Sequence, residues 1–568
     1  MPITQLTNTG WTEDNTILGT WSDQADIVEN LIDGIEIVED VIANTGKGND
    51  KISGKAFGDN SSGLNLKGQL FTGTGDDLIQ GEATDGTNNL VGIRTHNAIL
   101  NTGAGDDQIR GTVTIVDDIV SGSARNGIGI SDVFFNDSLI DTGVGNDQVY
   151  GSVEITGDWG FAIGIQAGGT ISTDAGDDQV RGTVTLNGDG GFGVGLVNQL
   201  GGISTGTGED KVYGTVTLNG DGGLATGILM QGSSSLSDLD IIDTGANNDE
   251  INGFVQLNGS GDGSNGILAD RNRISTGTGH DDISGFVWVT GNGNHHFGID
   301  MSAESFETGT GKDVVGGAVL IVGNGNNNTG FRLTSIDTDK GKDFLSGGVL
   351  VNGDGSNNIG IEAAFSSYGS RDLLTGLGND FVRGLVTVNG NGDNNIGIKN
   401  VSFNTIDTAD GKDTIDGQVS GNGTGIVNEI GGTITTGYGR DLLTGTVTGI
   451  GIGIHNSGII DMGAQSDNVA GKGGDAFSGF AGGGTILLGD GNDAIHGFGH
   501  QTINGGTGKD EASFEFALDA AIILGSSAAN AMDITANGTH TMSFIDVEQF
   551  IFNNDVYTLA ELQALVTL

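Results

Sequence analysis

The chain has 568 residues, of which 108 are glycine, one is proline and none is cysteine, and its formal net charge is −51. The absence of cysteine excludes disulfides and thiolate metal sites. The charge argues against nucleic acid and anionic lipid as partners, because both present negative phosphates.

Residues 1–43 lack the repeat that fills most of the chain. They combine apolar residues at helical spacing from Ile27 to Ile32 with strand-like alternation from Ile35 to Val38. An open end of stacked strands exposes unpaired edges, so we expect this segment to form an N-terminal cap. Neither a Sec-type signal nor the roughly 18-residue apolar run of a membrane helix is recognisable, so no transmembrane segment is predicted.

Residues 44–511 are organised by one recurring phrase, Thr-Gly-x-Gly-x-Asp-x-apolar-x-Gly. Clean copies run from Thr102 to Gly111 and from Thr205 to Gly214, and neighbouring copies are mostly 26 to 40 residues apart, with a last gap of 17. A period in this range is typical of solenoids and arrays. The sixth-position aspartates assigned to the 16 full or degraded copies are Asp50, Asp77, Asp107, Asp147, Asp178, Asp210, Asp249, Asp282, Asp313, Asp343, Asp380, Asp413, Asp441, Asp467, Asp493 and Asp510.

Each copy is followed by the same series of short segments. Apolar and polar residues alternate from Val180 to Leu186, and a Gly-rich turn, a Gly-apolar strand and a third strand then lead to the next Asp turn. Glycine at fixed turn positions permits positive φ. The pattern predicts an all-β fold, a parallel β-solenoid or β-roll of about 16 coils with about three strands per coil.

Residues 512–568 differ in composition from the array, and five phenylalanines lie between Phe514 and Phe552. The segment from Thr558 to Val566 has apolar residues at helical spacing behind a threonine that can cap a helix. We therefore predict a β-rich C-terminal cap with a terminal helix.

The repeated aspartate is the candidate functional residue. Stacking identical coils would place the carboxylates in a column about 5 Å apart, where each neighbouring pair costs roughly 3 kcal/mol at an effective dielectric of 20. Protonation would need a large pKa shift at every site, whereas a divalent cation would neutralise the column. Oxygen-only ligands select a hard ion, and calcium tolerates irregular geometry. We predict calcium as the cofactor; the alternative is an aspartate that only hydrogen-bonds its own turn.

The phrase resembles the repeats-in-toxin (RTX) nonapeptide, Gly-Gly-x-Gly-x-Asp-x-apolar-x. The closest copies run from Gly505 to Asp510 and from Leu488 to Ile495. The resemblance implies calcium-filled parallel β-rolls in which each sixth-position aspartate is a calcium ligand beside turn carbonyls. The end of the chain, after Phe544, is also similar to the uncleaved signal of type I secreted proteins. This implies a partnership with type I export machinery and a secreted, extracellular protein that folds on calcium, with residues 512–568 carrying the signal.

Catalytic chemistry is not predicted from the residues. His496 and His500 are four apart, but they lie in a Gly-rich turn and not on the helix that a zinc pair of this spacing needs. Tyrosine and arginine side chains recur at exposed strand positions after the Asp turn, which is typical of surface decoration. These residues are Arg110, Tyr150, Arg181, Tyr213 and Arg383.

Function distributed over sixteen similar units favours a calcium-binding structural or adhesive protein at the cell surface, such as a coat, fibre, matrix or motility-associated component. Its expected contacts are self-association or acidic surface glycans, with no nucleic acid. Two alternatives stay open. One is a carbohydrate-active enzyme, a polysaccharide lyase or epimerase with a site on a solenoid face, and the other is an RTX-type toxin.

Overall fold

The computed structural model describes residues 16–20, 33–39, 41–86, 88–116, 125–132, 138–199, 201–231, 241–270, 272–301, 306–364, 372–525 and 528–566. The chain divides into two compact units, Met1–Asp300 and Met301–Leu568. Each unit is a parallel β-solenoid, so the predicted fold class is confirmed. The helical spacing from Ile27 to Ile32 lies outside the described residues.

Most coils contribute one strand to each of three parallel sheets, and the 17-residue coil between Asp493 and Asp510 contributes to two of them. We call them sheet A, which follows the Asp turn, sheet B, which follows the second turn, and sheet C, which leads into the next Asp turn. The register is regular: Gln108 pairs with Gln148, and Gln148 with Gln179. The predicted unit of three strands and three turns is therefore the unit of the structure.

The first unit holds the following strands. In sheet A they are Thr16–Thr20, Lys51–Phe57, Leu78–Thr84, Gln108–Val116, Gln148–Thr156, Gln179–Asn187, Lys211–Leu218, Glu250–Leu257 and Asp282–Val289. In sheet B they are Ile35–Ile37, Ser62–Leu66, Leu90–Thr95, Arg125–Asp132, Gly160–Ala167, Phe192–Gln199, Leu224–Gln231, Asn265–Asp270 and Phe297–Met301. In sheet C they are Ile42–Asn44, Gln69–Phe71, Ile99–Asn101, Leu139–Asp141, Thr170–Ser172, Gly202–Ser204, Ile241–Asp243 and Arg273–Ser275, and Thr278–Gly279 is a short turn strand.

The second unit repeats the arrangement. Sheet A holds Val314–Ile321, Phe344–Val351, Phe381–Val388, Thr414–Ser420, Leu442–Val447, Asn468–Lys472, Ala494–His496, Glu511–Phe514, Gln549–Phe552 and Asp555–Thr558. Sheet B holds Thr329–Leu333, Ile359–Ala363, Asn395–Asn400, Gly423–Asn428, Gly451–Asn456 and Phe480–Ala481. Sheet C holds Phe306–Glu307, Ile336–Asp337, Asp372–Leu374, Thr405–Asp407, Thr433–Thr435, Ile459–Asp461, Thr485–Leu487, Thr502–Asn504, Ala521–Gly525, Ala531–Ala536 and His540–Ile545. Short turn strands are Thr310–Gly311, Lys340–Gly341, Leu377–Gly378, Asp490–Gly491 and Thr507–Gly508.

The strands of sheet A form where apolar and polar residues alternate, because successive side chains point to opposite faces of a strand. In the strand Gln148–Thr156, Val149, Val153 and Ile155 are at most 1 % exposed, whereas Tyr150, Ser152 and Glu154 face outwards. Burial of these apolar side chains is the main favourable contribution to the folding free energy of the coil, at roughly 25 cal/mol per Å² of apolar surface.

The glycine that closes the repeated phrase has a packing role. A Cβ on Gly151 would lie 2.1 Å from the carbonyl oxygen of Gly164 in sheet B, and a Cβ on Gly384 would lie 2.0 Å from that of Gly397. Sheets A and B thus approach each other backbone to backbone at this position, which we call the glycine seam. A side chain there would have to displace main chain, so the seam explains why the phrase ends in glycine.

The C-terminal segment extends the stack and then closes it. Gln549–Phe552 pairs in parallel with Glu511–Phe514, and Asp555–Thr558 then turns back antiparallel. Phe514 packs against Phe552, with ring centroids 5.0 Å apart, in a cluster of phenylalanines that fills this end. The predicted β-rich character of this segment is confirmed.

The terminal helix, Leu559–Val566, is also confirmed. Thr558 accepts a hydrogen bond from the Glu561 N–H through Oγ1 at 3.3 Å, and its own N–H donates to Glu561 Oε2 at 2.8 Å. This reciprocal pair is a capping box. A single-turn 3₁₀ helix, Leu518–Ala520, precedes the antiparallel strands. In the described part of the chain no helix is long and apolar enough to cross a membrane.

Candidate functional site: the aspartate column

The sixth-position aspartates form one hydrogen-bonded column in each unit. In the first unit Asp50 donates its backbone N–H to Asp77 Oδ1 at 2.7 Å, and the same bond repeats from coil to coil, at 2.7–2.9 Å, as far as Asp281. In the second unit it runs from Asp313 to Asp510 over the same range. The aspartates of both columns are at most 3 % exposed.

One sequence assignment is corrected by the structure. Asp281, and not Asp282, accepts the Asp249 N–H at 2.9 Å and lies in the column. Asp282 is the exposed first residue of its sheet A strand, beside Glu250. Counted from Thr276, Asp281 is the sixth residue of its copy, so the prediction of Asp282 is wrong by one position. The other fifteen assigned aspartates occupy the column positions.

The two oxygens of the column carboxylates differ in their hydrogen bonding. Oδ1 accepts the N–H of the preceding coil, whereas Oδ2 is buried and accepts no hydrogen bond from the described residues at thirteen positions. A buried charged oxygen without a partner costs more than the ~1–3 kcal/mol of a neutral one. The thirteen are Asp77, Asp107, Asp147, Asp178, Asp210, Asp249, Asp343, Asp380, Asp413, Asp441, Asp467, Asp493 and Asp510.

Burial raises the pKa of these carboxyl groups, because the charged form loses its hydration. The accepted backbone N–H opposes this shift, as does the nearby threonine hydroxyl in turns such as those of Asp107 and Asp249, and neighbouring carboxylates add to the shift. The pKa rises from 3.8 to about 7 for Asp107, Asp249, Asp413 and Asp467. It rises to about 6 for Asp147, Asp178, Asp343, Asp380, Asp493 and Asp510.

The second turn of the coil provides an internal comparison. There, too, a buried side chain accepts the N–H of the preceding coil, but the side chain is neutral. The Ser264 N–H donates to His296 Nδ1 at 3.1 Å, and the Asn358 N–H donates to Asn395 Oδ1 at 3.0 Å. The second polar atom of Asn358, Nδ2, donates to the Gly325 carbonyl at 3.1 Å and is satisfied. A ladder of this kind therefore forms without charge, whereas the ladder of the Asp turn leaves an anionic oxygen without a hydrogen bond.

The backbone of the Asp turn is held by glycine and by bonds between coils. A Cβ on Gly73 would lie 1.8 Å from the Gly46 carbonyl oxygen, and Gly73 has φ +99°. Asp174, Asp339 and Ala409, which replace this glycine in three copies, adopt the same left-handed conformation with φ of 55–61°. The turn keeps its shape in these copies at the cost of some strain.

The Asp turn offers a calcium ion three kinds of oxygen donor. The free Oδ2 atoms fit a hard cation, and the threonine hydroxyl lies beside the same carboxylate. The turn carbonyls already accept one bond each, as in Thr74 N–H to Gly46 O at 3.2 Å, and retain a second lone pair. Among the described residues no three His, Asp or Glu side chains converge on one point. A bound ion would therefore depend on one or two column carboxylates with threonine and carbonyl oxygens.

The two histidines considered for zinc contact different residues through Nδ1. His496 Nδ1 is hydrogen-bonded to Ser513 Oγ, and His500 Nδ1 lies 3.1 Å from the Thr541 carbonyl oxygen. Their first ring nitrogens thus have separate partners. The structure gives no support to a zinc pair at this spacing.

The recurring tyrosines and arginines form a column on the outer face of sheet A in the first unit, where Arg110 is exposed and the others are half-buried. The register places Arg110 beside Tyr150, Tyr150 beside Arg181, and Arg181 beside Tyr213. Tyr213 donates its hydroxyl hydrogen to Glu250 at 2.6 Å. Arg383 belongs to the second unit and lies 3.7 Å from the Asp416 carboxylate. This distribution along a strand face is that of a repeated surface feature.

No known family model matches the chain, and no curated protein is similar to it. The resemblance to the RTX repeat therefore remains a prediction that the motif alone supports. Any functional assignment rests on the geometry of the Asp turn.

Proposed function

We propose that this protein is a secreted, non-catalytic structural or adhesive component of a cell surface whose coils are held together by calcium at the Asp turns. The observation that carries the proposal is the buried, unpartnered Oδ2 at thirteen of the turns. The neutral ladder of the second turn supports it, because asparagine would build the same stack without this cost. A carboxylate in every copy is explained if a cation binds its second oxygen and neutralises its charge.

Calcium would supply positive charge inside the column and cross-link neighbouring coils. The residues that would hold it are the column aspartates through Oδ2, the turn carbonyls and, where threonine opens the turn, its hydroxyl. Met462, Leu488 and Gly505 stand at that position in the last three copies. Such binding couples folding to free calcium, because the site does not exist in the unfolded chain. A protein of this kind would remain unfolded at low calcium and fold where calcium is plentiful.

This coupling suits export of an unfolded chain by type I machinery, with the signal in residues 512–568. Outside the cell the repeated acidic surface would meet other copies or acidic glycans through bridging calcium, and many weak contacts would add by avidity. A catalytic or toxin role has no comparable support in the columns, which repeat one chemistry along the chain.

The test is a calcium titration of the purified full-length chain after treatment with a chelator. Circular dichroism and thermal melting are followed as calcium is added, magnesium serves as the control cation, and equilibrium dialysis counts the bound ions. We expect β-signal and melting temperature to rise with calcium and several ions to be bound per chain. Equal spectra and melting temperatures in chelator and in calcium would refute the proposal.

A further inference from the structure

A recess of about 560 Å³ lies on the outer face of sheet A near the C-terminal end of the second unit. It exists because the strands shorten: Phe381–Val388 has eight residues, whereas Ala494–His496 has three. The chain turns away at Gly497, where φ is +111°. The wall on one side is the segment 473–479 and on the other the hairpin turn at Asn553 and Asn554.

Two polar side chains on neighbouring strands meet on the floor of this recess. His496 and Ser513 are partners in the sheet A register, and the imidazole Nδ1 is hydrogen-bonded to the serine Oγ. Phe514 and Ile551 supply apolar surface beside them. The floor thus combines a fixed hydrogen-bonding pair with an apolar patch, the composition of small-molecule sites.

Charged groups stand at the edge of the recess. Among the described residues that line it, Lys472 is the one side chain with a fixed positive charge, and Asp475 and Glu515 carry the negative charges. Asp475 is held in place, because its Oδ1 accepts the Phe477 N–H at 2.8 Å and its N–H donates to Ser478 Oγ at 2.9 Å. The wall that carries it is therefore ordered by its own hydrogen bonds.

This set of residues does not recur in the four preceding coils, whose sheet A strands are all described. The positions equivalent to His496 in the preceding coils are Ala470, Thr444, Asp416 and Arg383. The recess is thus an unrepeated combination of base, hydroxyl, cation and carboxylates, unlike the Asp turns. A single site in a repetitive body points to recognition of one discrete ligand.

We propose that the recess binds a carboxylated sugar residue of monosaccharide size, a uronic acid at the end or on a branch of a glycan. Lys472 would bind the single carboxylate, and a second one would be repelled by Asp475 and Glu515. These two carboxylates would accept hydrogen bonds from sugar hydroxyls. The side-chain amides of Asn553 and Asn554 would both donate hydrogen bonds to the hydroxyls and accept them. The volume lies within the range of about 300–1,000 Å³ found for ligand pockets. The inference rests on the proposed adhesive role and adds a defined site to it.

The test is isothermal titration calorimetry in calcium-containing buffer, with D-glucuronate and neutral D-glucose as probes. We expect glucuronate to bind at least about tenfold more tightly than glucose, as one charge-assisted contact provides. Lys472→Gln should abolish this preference for glucuronate, and Ser513→Ala should lower the affinity for both sugars. Lys509→Gln, an exposed lysine in an Asp turn, is the matched control and should bind like the wild type.

Equal affinity for the two sugars, no binding of glucuronate, or wild-type binding by Lys472→Gln would each overturn the proposal. Circular dichroism of every variant shows whether it is folded, and Lys472 is exposed, so its substitution leaves the core intact. Calcium-dependent folding is measured separately, so a failure of sugar binding is distinguishable from a failure of the calcium proposal.

Discussion

Asp510 donates its backbone N–H to Oε2 of Glu548 over 2.8 Å, so a glutamate takes the place that the next aspartate would fill. The column therefore ends on an acceptor supplied by the C-terminal segment. Glu548 also accepts the Leu559 N–H through its carbonyl at 3.1 Å, which joins the end of the column to the terminal helix.

We expect Glu548→Ala to destabilise the C-terminal end by about 1 kcal/mol, since the Asp510 N–H loses its acceptor. Hydrogen exchange of the Asp510 amide should become faster. Glu548→Gln retains an acceptor oxygen and removes a charge beside Asp510. In this variant the Asp510 amide should therefore exchange at close to the wild-type rate. Equal exchange in the alanine variant and the wild type would contradict this account of the cap.

Two adjacent aspartates provide a matched test of the column. Asp107 is buried in it and accepts the Asp77 N–H, whereas Asp106 is exposed and accepts the Asn146 N–H at 2.9 Å. Asp107→Asn should stabilise the calcium-free protein by about 1–3 kcal/mol, because it removes a buried unpaired charge. In calcium it should lose about one bound ion. Chemical denaturation and equilibrium dialysis measure the two effects.

Asp106→Asn is the control for this pair and should change neither quantity. If both variants showed the same change in stability and in bound calcium, the burial of the column carboxylate would not be the cause of these changes. If Asp107→Asn destabilised the chain in chelator, the unpartnered oxygen would not be a source of strain.

The raised pKa values predict a pH dependence of the calcium-free protein. For a carboxyl whose folded pKa is about 6 or 7 against 3.8 unfolded, the folded state holds the proton more tightly. The stabilisation is complete below the unfolded pKa and is lost as the pH rises through the folded pKa. In chelator the melting temperature should therefore be higher at about pH 5 than at about pH 8.

Calcium should reduce the difference in melting temperature between the two pH values, since a cation replaces the protons in neutralising the carboxylates. Differential scanning calorimetry at the two pH values, with chelator and with calcium, makes the comparison. A melting temperature in chelator that is higher at the alkaline pH would show that the column is not the titrating element.

The glycine seam can be tested with two neighbouring residues in the second unit. A Cβ on Gly347 would lie 2.0 Å from the Gly360 carbonyl oxygen, whereas a Cβ on Gly348, which faces outwards, would meet nothing within 4 Å. Gly347→Ala should destabilise the protein by about 3 kcal/mol or more, because main chain must move. Gly348→Ala should be neutral or stabilising by up to about 1 kcal/mol.

Denaturant unfolding of the two variants gives the comparison directly. A seam that tolerated alanine at Gly347 would mean that sheets A and B can move apart locally, and the close approach would then not explain the glycine that ends each phrase.

The fold was predictable because each coil repeats the same local signals. Alternation from Val180 to Leu186 predicts a strand, and the structure has one at Gln179–Asn187. The Thr558 cap was readable from sequence for the same reason, since a capping box spans only four residues. Local spacing is sufficient for such features.

The site was only partly predictable, because its details depend on contacts between coils. The sequence indicates a column of aspartates, but only the stacked backbone shows that Oδ1 is used and Oδ2 is not. The contact of His496 with Ser513 arises from a coil of 17 residues between Asp493 and Asp510, where the usual spacing gives no guide. Asp281 and Asp282 are adjacent, and the bond from the Asp249 N–H distinguishes the column residue from its neighbour.

The coils differ in length while their strands stay in register. Asp107 and Asp147 are 40 residues apart, and Asp147 and Asp178 are 31 apart, yet Gln108, Gln148 and Gln179 remain aligned. The additional residues therefore fall between described strands in the sequence, and lengthening a connection adds little entropic cost. Unequal recombination between repeats could add or delete a whole coil and still present each strand with a compatible neighbour.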